Sequence, residues 1–206
     1  MIRLAKENLN DGQEYDRIFQ ARQEIDQNWQ DLRRWKKLLR FFRGGNILDI
    51  GCLDSNIPVT AMALYPKTQA WGIDIAEESI YVMRKKFPEV NYEVQDLYKM
   101  TFKDGFFDYV VIGDVLVHLE APQDAVKEAV RVLKPKGGLA VSTPLEEANE
   151  PGAVDHARHL WSFSVQDMID LLRPHGKVTS AILGSQYFPK YKYAWPSLLA
   201  YLHKKG

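Results

Sequence analysis

Four aspartates stand where apolar runs of the chain end. Asp49 lies within Ile47-Leu48-Asp49-Ile50, Asp74 closes a run from Gln69, Asp96 follows Val94-Gln95, and Asp114 follows Ile112-Gly113. His118 comes four residues after Asp114. A carboxylate has two oxygens that can accept from adjacent donors, so it suits a pair of neighbouring hydroxyls. A row of carboxylates would repel a diphosphate. The glycine-rich helix start that cradles phosphate is also thinned, because Gly51 is followed by Cys52, Leu53 and Ser55. The set favours a ligand with hydroxyls, an amino group and a positive centre. An imidazole such as His118 accepts a proton near neutrality. His156 and His159 form a second candidate pair at helical spacing. A loop histidine without a metal is the plainer reading of both, and Cys52 reads as a small buried side chain rather than a nucleophile.

These residues need elements to hold them. After Gly44-Gly45 the pattern alternates between strands and helices. Strands are expected at residues 47–50, 69–75, 90–96, 107–115, 138–144 and 177–184. A last one at 197–205 also reads as a short helix. Helices are expected at 55–65, with Pro58 in the first turn, at 77–87, ended by Pro88, and at 121–134, stopped by Pro135 and Gly137-Gly138. A further helix should open at Ser164, with Asp167 as the reciprocal cap. Near-continuous apolar strands alternating with helices imply a parallel sheet covered on both faces. Such sheets bind ligands beyond the carboxyl ends of their strands, where all four aspartates fall.

Residues 11–42 differ in texture. They contain no proline, and Leu32, Trp35, Leu39 and Phe42 recur at helical spacing. Arg33, Arg34, Lys37 and Arg40 lie largely off that stripe and read as a solvated face, balanced by acids upstream. Tyr15, Arg17 and Arg22 are candidates to close over a ligand, although an ordinary helix surface explains them equally well. The chain has 27 basic and 27 acidic residues. That balance argues against nucleic acid or an anionic membrane as partner. A single cysteine excludes a disulfide framework within the chain. No run approaches the roughly 20 apolar residues of a membrane span, and no leader pattern opens the chain, so a soluble cytoplasmic protein is expected.

The stretches ILDIGC, WGIDIA, VQDLYKMTFKDGFFDYVVIGDVLVHL and VLKPKGGLAVSTP, in this order, resemble the successive motifs of class I S-adenosylmethionine-dependent methyltransferases. The nearest branch is that of small-molecule enzymes of quinone biosynthesis, which HLWSFSVQDMIDLLRPHG also resembles. The resemblance covers about residues 45–176. It implies a Rossmann-like α/β fold: a seven-stranded, mostly parallel sheet in the order 3-2-1-4-5-7-6, the last strand antiparallel, with helices on both faces. It further implies a methyltransferase domain over 44–206 and an N-terminal helical cap over 1–43.

For the cofactor S-adenosylmethionine, and its product S-adenosylhomocysteine, the resemblance assigns residues one by one. Asp49, Gly51, Cys52 and Leu53 would pass under the methionine part. Asp74 would accept from both ribose hydroxyls and Ile75 would pack on adenine. Asp96 and Leu97 would bind the adenine edge, and Gly113 and Asp114 would lie near the amino group. His118, or failing it His156, would act as base toward a small-molecule acceptor such as a sugar or phenol hydroxyl. No metal is expected, since Val117 replaces an acidic residue that the related quinone enzymes carry. Leu53 and Ser55 stand where that family commonly has glycine. Leu53 is expected to fit with a negative φ and its side chain turned from the ligand. The alternative is a degenerate, non-catalytic scaffold that binds the cofactor weakly. An NAD-dependent oxidoreductase lacks support, because no G-x-G-x-x-G follows Asp49. A monomer or homodimer is expected.

Overall fold

The structure, a computed structural model, describes residues 1–5, 8–23, 35–144, 159–188 and 193–206. In chain order the elements are β1 (Ile2–Arg3), α1 (Gly12–Gln23), β2 (Asn46–Ile50), α2 (Ile57–Leu64), β3 (Gln69–Asp74), α3 (Glu77–Lys86), β4 (Asn91–Val94), β5 (Phe107–Gly113), α4 (Pro122–Val132), β6 (Leu133–Pro144), β7 (Trp161–Ser162), α5 (Val165–Leu172), β8 (Gly176–Phe188) and β9 (Tyr193–Lys204). Seven strands form one sheet in the order β4-β3-β2-β5-β6-β9-β8. Counted along the seven, this is 3-2-1-4-5-7-6. β2 to β6 run parallel, and β9 is antiparallel to both of its neighbours. β1 and β7 make a separate antiparallel pair, which was not foreseen in the sequence.

The apolar strands are explained by burial on two faces. Leu48 and Ile50 of β2, Val110 and Ile112 of β5, Leu139 and Val141 of β6, and Leu198, Ala200 and Leu202 of β9 pack into one core with α4 and α5. Ile47, Tyr109, Val111, Ala140, Leu199 and Tyr201 alternate with them and face the second core, which includes Leu38, Phe42 and Ile80. A helical turn at 35–38 is tied to that face: the Tyr109 hydroxyl donates to the Leu38 carbonyl at 2.8 Å and the Tyr201 hydroxyl to the Lys37 carbonyl. Of the expected helix over 11–42, α1 and this turn fall within the described residues; the stretch 24–34, with Leu32, Arg33 and Arg34, lies outside them.

Local chemistry accounts for most boundaries. α2 has Pro58 in its first turn, and α3 has Glu77 and Glu78 at its start and Arg84, Lys85 and Lys86 at its end, each charge set matched to the helix dipole. α5 carries the Ser164/Asp167 capping box. α4 ends at Val132, two residues before the expected stop. Pro135 disfavours helical backbone at the residue before it, and Leu133 instead pairs with Phe107, so β6 opens early with a register shift. The last element is a strand: its alternation fills both cores, which a helix inserted between β6 and β8 could not do.

Candidate functional site

The carboxyl ends of β2, β3 and β5 converge around the turn after β2. Gly51 takes φ 68°, and a Cβ there would lie 2.3 Å from a Val115 methyl, so glycine is required on both conformational and steric grounds. The Gly51 and Cys52 N–H groups both donate to the Ile73 carbonyl, at 2.8 and 3.0 Å, which fixes this turn to the end of β3. Cys52 is buried, and burial, with Asp74 and Asp49 nearby, pushes its thiol well up.

Leu53 corrects an expectation. Its φ is 37°, not negative. Left-handed backbone costs a residue with a Cβ about 1–2 kcal/mol, and it persists only where the surroundings over-determine it. Here they do. The Leu53 N–H donates to Asp74 Oδ2 at 2.8 Å, its carbonyl accepts from the Ser79 hydroxyl, and its side chain packs against Phe19 and Ala76. Ser55 uses its hydroxyl to accept from the Ile57 N–H at the start of α2.

Asp74 is 8% exposed. Its second oxygen, Oδ1, accepts from the Ala76 N–H at 3.0 Å. Burial pushes its carboxyl up, opposed by the backbone hydrogen bonds from Ala76 and Leu53. An ionised carboxylate has about four acceptor positions. The Leu53 and Ala76 N–H groups occupy one position on each oxygen and hold the plane of the group, and the Ile75 N–H also acts on it. Ile75, next in sequence, is 37% exposed, an apolar surface beside a buried acceptor pair. Asp49 is buried at 2% exposure. Asp96 is exposed and accepts from the Tyr98 N–H at 2.8 Å, while Leu97 packs against the first core. Gly113 and Asp114 are half-buried at the end of β5. Asp114 sits at φ 57°, its N–H donating to the Ser142 carbonyl at 2.9 Å and its Oδ1 accepting from the Ser142 hydroxyl at 2.7 Å.

His118 ends a short turn after β5, Leu116–His118. Its ring meets Tyr15 edge-on at 5.9 Å between centroids and His159 at 4.9 Å. Its carbonyl accepts from the Asn10 side-chain amide, and Asn10 Oδ1 accepts from the Tyr15 hydroxyl. His156 lies outside the described residues. Among the described residues no group of three or more His, Cys, Asp or Glu side chains could hold a metal ion.

α1 joins the two halves of the site. Gly12 lies so close to the Ile75 carbonyl that a Cβ would stand 2.7 Å from its oxygen. Tyr15 reaches His118, Phe19 one turn later reaches Leu53 and Ala76, and Asp16 caps α3 by accepting from the Glu78 N–H at 2.9 Å. Tyr15 was a candidate from the sequence. Phe19, Asn10, Asp16 and Ser142 were not, although Tyr15 and Phe19 at i, i+4 form a readable apolar stripe. Arg17 is exposed and pairs with Glu14. An open depression on α4, lined by Tyr98, Glu120, Asp124 and Lys127 among others, shares none of these strand-end residues.

Residues 48–141 match the family model described as a methyltransferase domain. A demethylmenaquinone methyltransferase of Listeria welshimeri is 31% identical over 129 residues, which is 58% of this chain and 54% of that protein. The chain thus spans about half the length of this curated relative. Among solved structures, a chain of the complex between the Haloferax volcanii Trm112 methyltransferase activator and a methyltransferase superposes with a TM-score of 0.78 at 16% identity, covering 96% of this chain and 98% of that one. The N-methyltransferase NodS of Bradyrhizobium japonicum, solved with S-adenosyl-L-homocysteine, has a TM-score of 0.71 at 18% identity, covering 95% and 98%. At these identities the structural likeness speaks to the fold. No helix among the described residues is long and apolar enough to cross a membrane.

Proposed function

We infer, from the premise that this chain belongs to the class I S-adenosylmethionine-dependent methyltransferases, that it binds S-adenosylmethionine at the strand ends and methylates a hydroxyl of a small-molecule acceptor, such as a sugar or phenol. The observation that carries the reading is the Asp74 carboxylate: buried at the end of β3, held in plane by backbone N–H groups on both oxygens, and with acceptor capacity beyond them. Two vicinal ribose hydroxyls fit that demand. Ile75 offers a face for adenine, Asp96 and Leu97 its edge, and the stretch Asp49, Gly51, Cys52 and Leu53 lies under the methionine part, with Gly113 and Asp114 near the amino group. When bound, the cofactor supplies a methyl group already activated by a positive sulfur. What remains for the protein is to align the acceptor, exclude water and take a proton. His118 is the group for the proton, and Tyr15 and Phe19 on α1 close the site from above. Residues 1–43 then act as a cap on a domain over 44–206, working as a monomer or homodimer without nucleic acid or membrane.

The name of the Listeria relative supports a small-molecule acceptor. A hydroxyl is favoured because its deprotonation gives His118 a task. Titration calorimetry with S-adenosylmethionine and S-adenosylhomocysteine should show binding, and labelled methyl should pass to members of a sugar and phenol panel. His118→Ala should lower that turnover about 10²–10⁴-fold with cofactor binding intact. No heat and no thermal shift at millimolar cofactor would overturn the reading. Unchanged turnover in His118→Ala would remove the base alone. The strained Leu53 favours a second reading, a non-catalytic scaffold that binds the cofactor weakly; binding without transfer to any acceptor supports it.

A further inference from the structure

Gln95 is a buried polar residue to which the reaction above gives no task. It follows β4 directly and is 9% exposed. Its N–H donates to the Asp74 carbonyl at 3.0 Å, so the residue that carries the buried carboxylate also anchors the start of the loop that carries Asp96. Both ends of the Gln95 side-chain amide are engaged. Oε1 accepts from the Thr101 N–H at 2.9 Å, and Nε2 donates to Glu93 Oε2 at 2.6 Å. These partners settle which end is oxygen, because a backbone N–H only donates and a carboxylate accepts. The amide thus closes the loop from Asp96 to Met100 across its neck. Within the loop the Tyr98 N–H donates to Asp96 Oδ1 at 2.8 Å and the Lys99 N–H to the Asp96 carbonyl at 3.0 Å. The far side rests on α4: the Tyr98 hydroxyl accepts from the Ala121 N–H at 3.1 Å, and Glu128 Oε1 accepts from the Met100 N–H at 3.0 Å. Asp96 itself is exposed, so its place is set by the backbone of this loop rather than by burial. An apolar side chain would fill position 95 at lower desolvation cost, whereas a buried amide requires partners at both ends.

We propose that Gln95 is a positioning residue for base selection, setting Asp96 and Leu97 at the distance from Asp74 at which the cofactor's adenine amino group is recognised. The role rests on the reading of Asp96 and Leu97 as the adenine edge. Ribose and base belong to one nucleoside, so the spacing between the group that takes the sugar and the groups that take the base edge must match it. Gln95 fixes that spacing at both ends of the loop, through its N–H on the Asp74 carbonyl and its Oε1 on Thr101. A loop displaced by about 1 Å would leave Ile75 in place to pack on a flat base, and would lose the distinction between an amino group and a carbonyl at its edge.

The test needs no acceptor. Its readout is the ratio of affinities for S-adenosylhomocysteine and S-inosylhomocysteine, which has a carbonyl oxygen in place of the amino group, from titration calorimetry on the full chain. The wild type should favour the adenosine ligand about 10–100-fold, and Asp96→Ala should bring the ratio close to one. Gln95→Met keeps the length of the side chain and removes both polar ends; its ratio should also fall, to about threefold or less. The double variant Glu93→Gln/Gln95→Glu returns an acceptor to the Thr101 N–H and a donor to the other side of the pair, and should restore the wild-type ratio. A wild-type ratio in Gln95→Met, with both affinities unchanged or lowered alike, overturns the proposal and leaves Gln95 a part of the loop's stability alone. Should that variant fail to fold, Gln95→Asn, one methylene too short to reach both partners, takes its place under the same criterion. A wild type that binds both ligands equally, or an Asp96→Ala that keeps the ratio, overturns the adenine-edge reading and the role with it. A ratio lost in Asp96→Ala and kept in Gln95→Met overturns the role alone, so the two failures are distinguishable.

Discussion

The turn around Asp74 and the clamp around Arg131 are built from the same materials and settle them differently. Arg131, on α4, donates to the carbonyls of Met100 and Phe102 and to Glu128 and Asp104, and Glu128 also accepts from the Met100 N–H. Every charge there has an opposite partner. Arg131 bonding holds the Glu128 carboxyl below its ordinary value, against the smaller effect of burial. At the strand ends no cation among the described residues answers Asp74: its carboxyl is pushed up by burial, and its neighbour Leu53 is held at φ 37°. One region is satisfied and stabilises the fold. The other stores strain and an under-compensated charge, the pattern expected where a ligand completes the structure.

The comparison breaks most readily at Asp74. Asp74→Ala should weaken cofactor binding by about 3 kcal/mol, more than a hundredfold, because both ribose hydroxyls lose their acceptor. Equal binding by wild type and variant in calorimetry would end the ribose assignment. Arg131→Met should do the reverse, costing about 2 kcal/mol of stability, a figure already discounted for the partial exposure of the ion pairs, with cofactor affinity unchanged. The fall in melting temperature should be about 4–8 °C.

Leu53 sharpens the contrast further. Leu53→Gly relieves about 1 kcal/mol of backbone strain but gives up about 2 kcal/mol of packing against Phe19. Leu53→Ala gives up the packing and keeps the strain, so it should melt lower than the glycine variant. Cofactor affinity in the double variant Leu53→Gly/Ser55→Gly should stay within about tenfold of wild type; a much larger gain on titration favours the scaffold reading.

The smallest effect expected is on pH dependence, and it has opposite signs in the two regions. The folded-state pKa of Glu128 is lowered, so its stabilisation is present above about pH 4.3 and is lost as pH falls through the folded value. The folded-state pKa of Asp74 is raised, so its contribution is present below about pH 3.9 and is lost as pH rises through the folded value. Denaturation midpoints against pH should lose the acid-side slope in Glu128→Gln and keep it in Asp74→Asn. Hydrogen-bond donors from a bound cofactor would draw the Asp74 pKa back down, so binding should release protons in mildly acidic buffer.

Periodicity and strand-end chemistry in the sequence were enough to determine that this is a parallel, two-faced sheet with carboxylates gathered at one end. Residues such as Val110 and Val111 must both be buried, and only a sheet covered on both sides does that. The order of the motifs carried the strand order only through the resemblance to a known family, whereas Ser164 and Asp167 mark the start of α5 by themselves. The cap and the strand periodicity were legible because each depends on neighbours within a few residues. The sign of φ at Leu53 was not, because it is imposed by Asp74, Ser79 and Phe19, which come from three other elements. The end of α4 was missed because Leu133 had a strand partner, Phe107, 26 residues earlier. The meeting of Tyr15, His118 and His159 depends on β1 pairing with β7 and on α1 crossing from Ile75 to the turn after β5. No local pattern encodes such a meeting, since it is fixed by packing between segments far apart in the chain, and tertiary structure alone decided it.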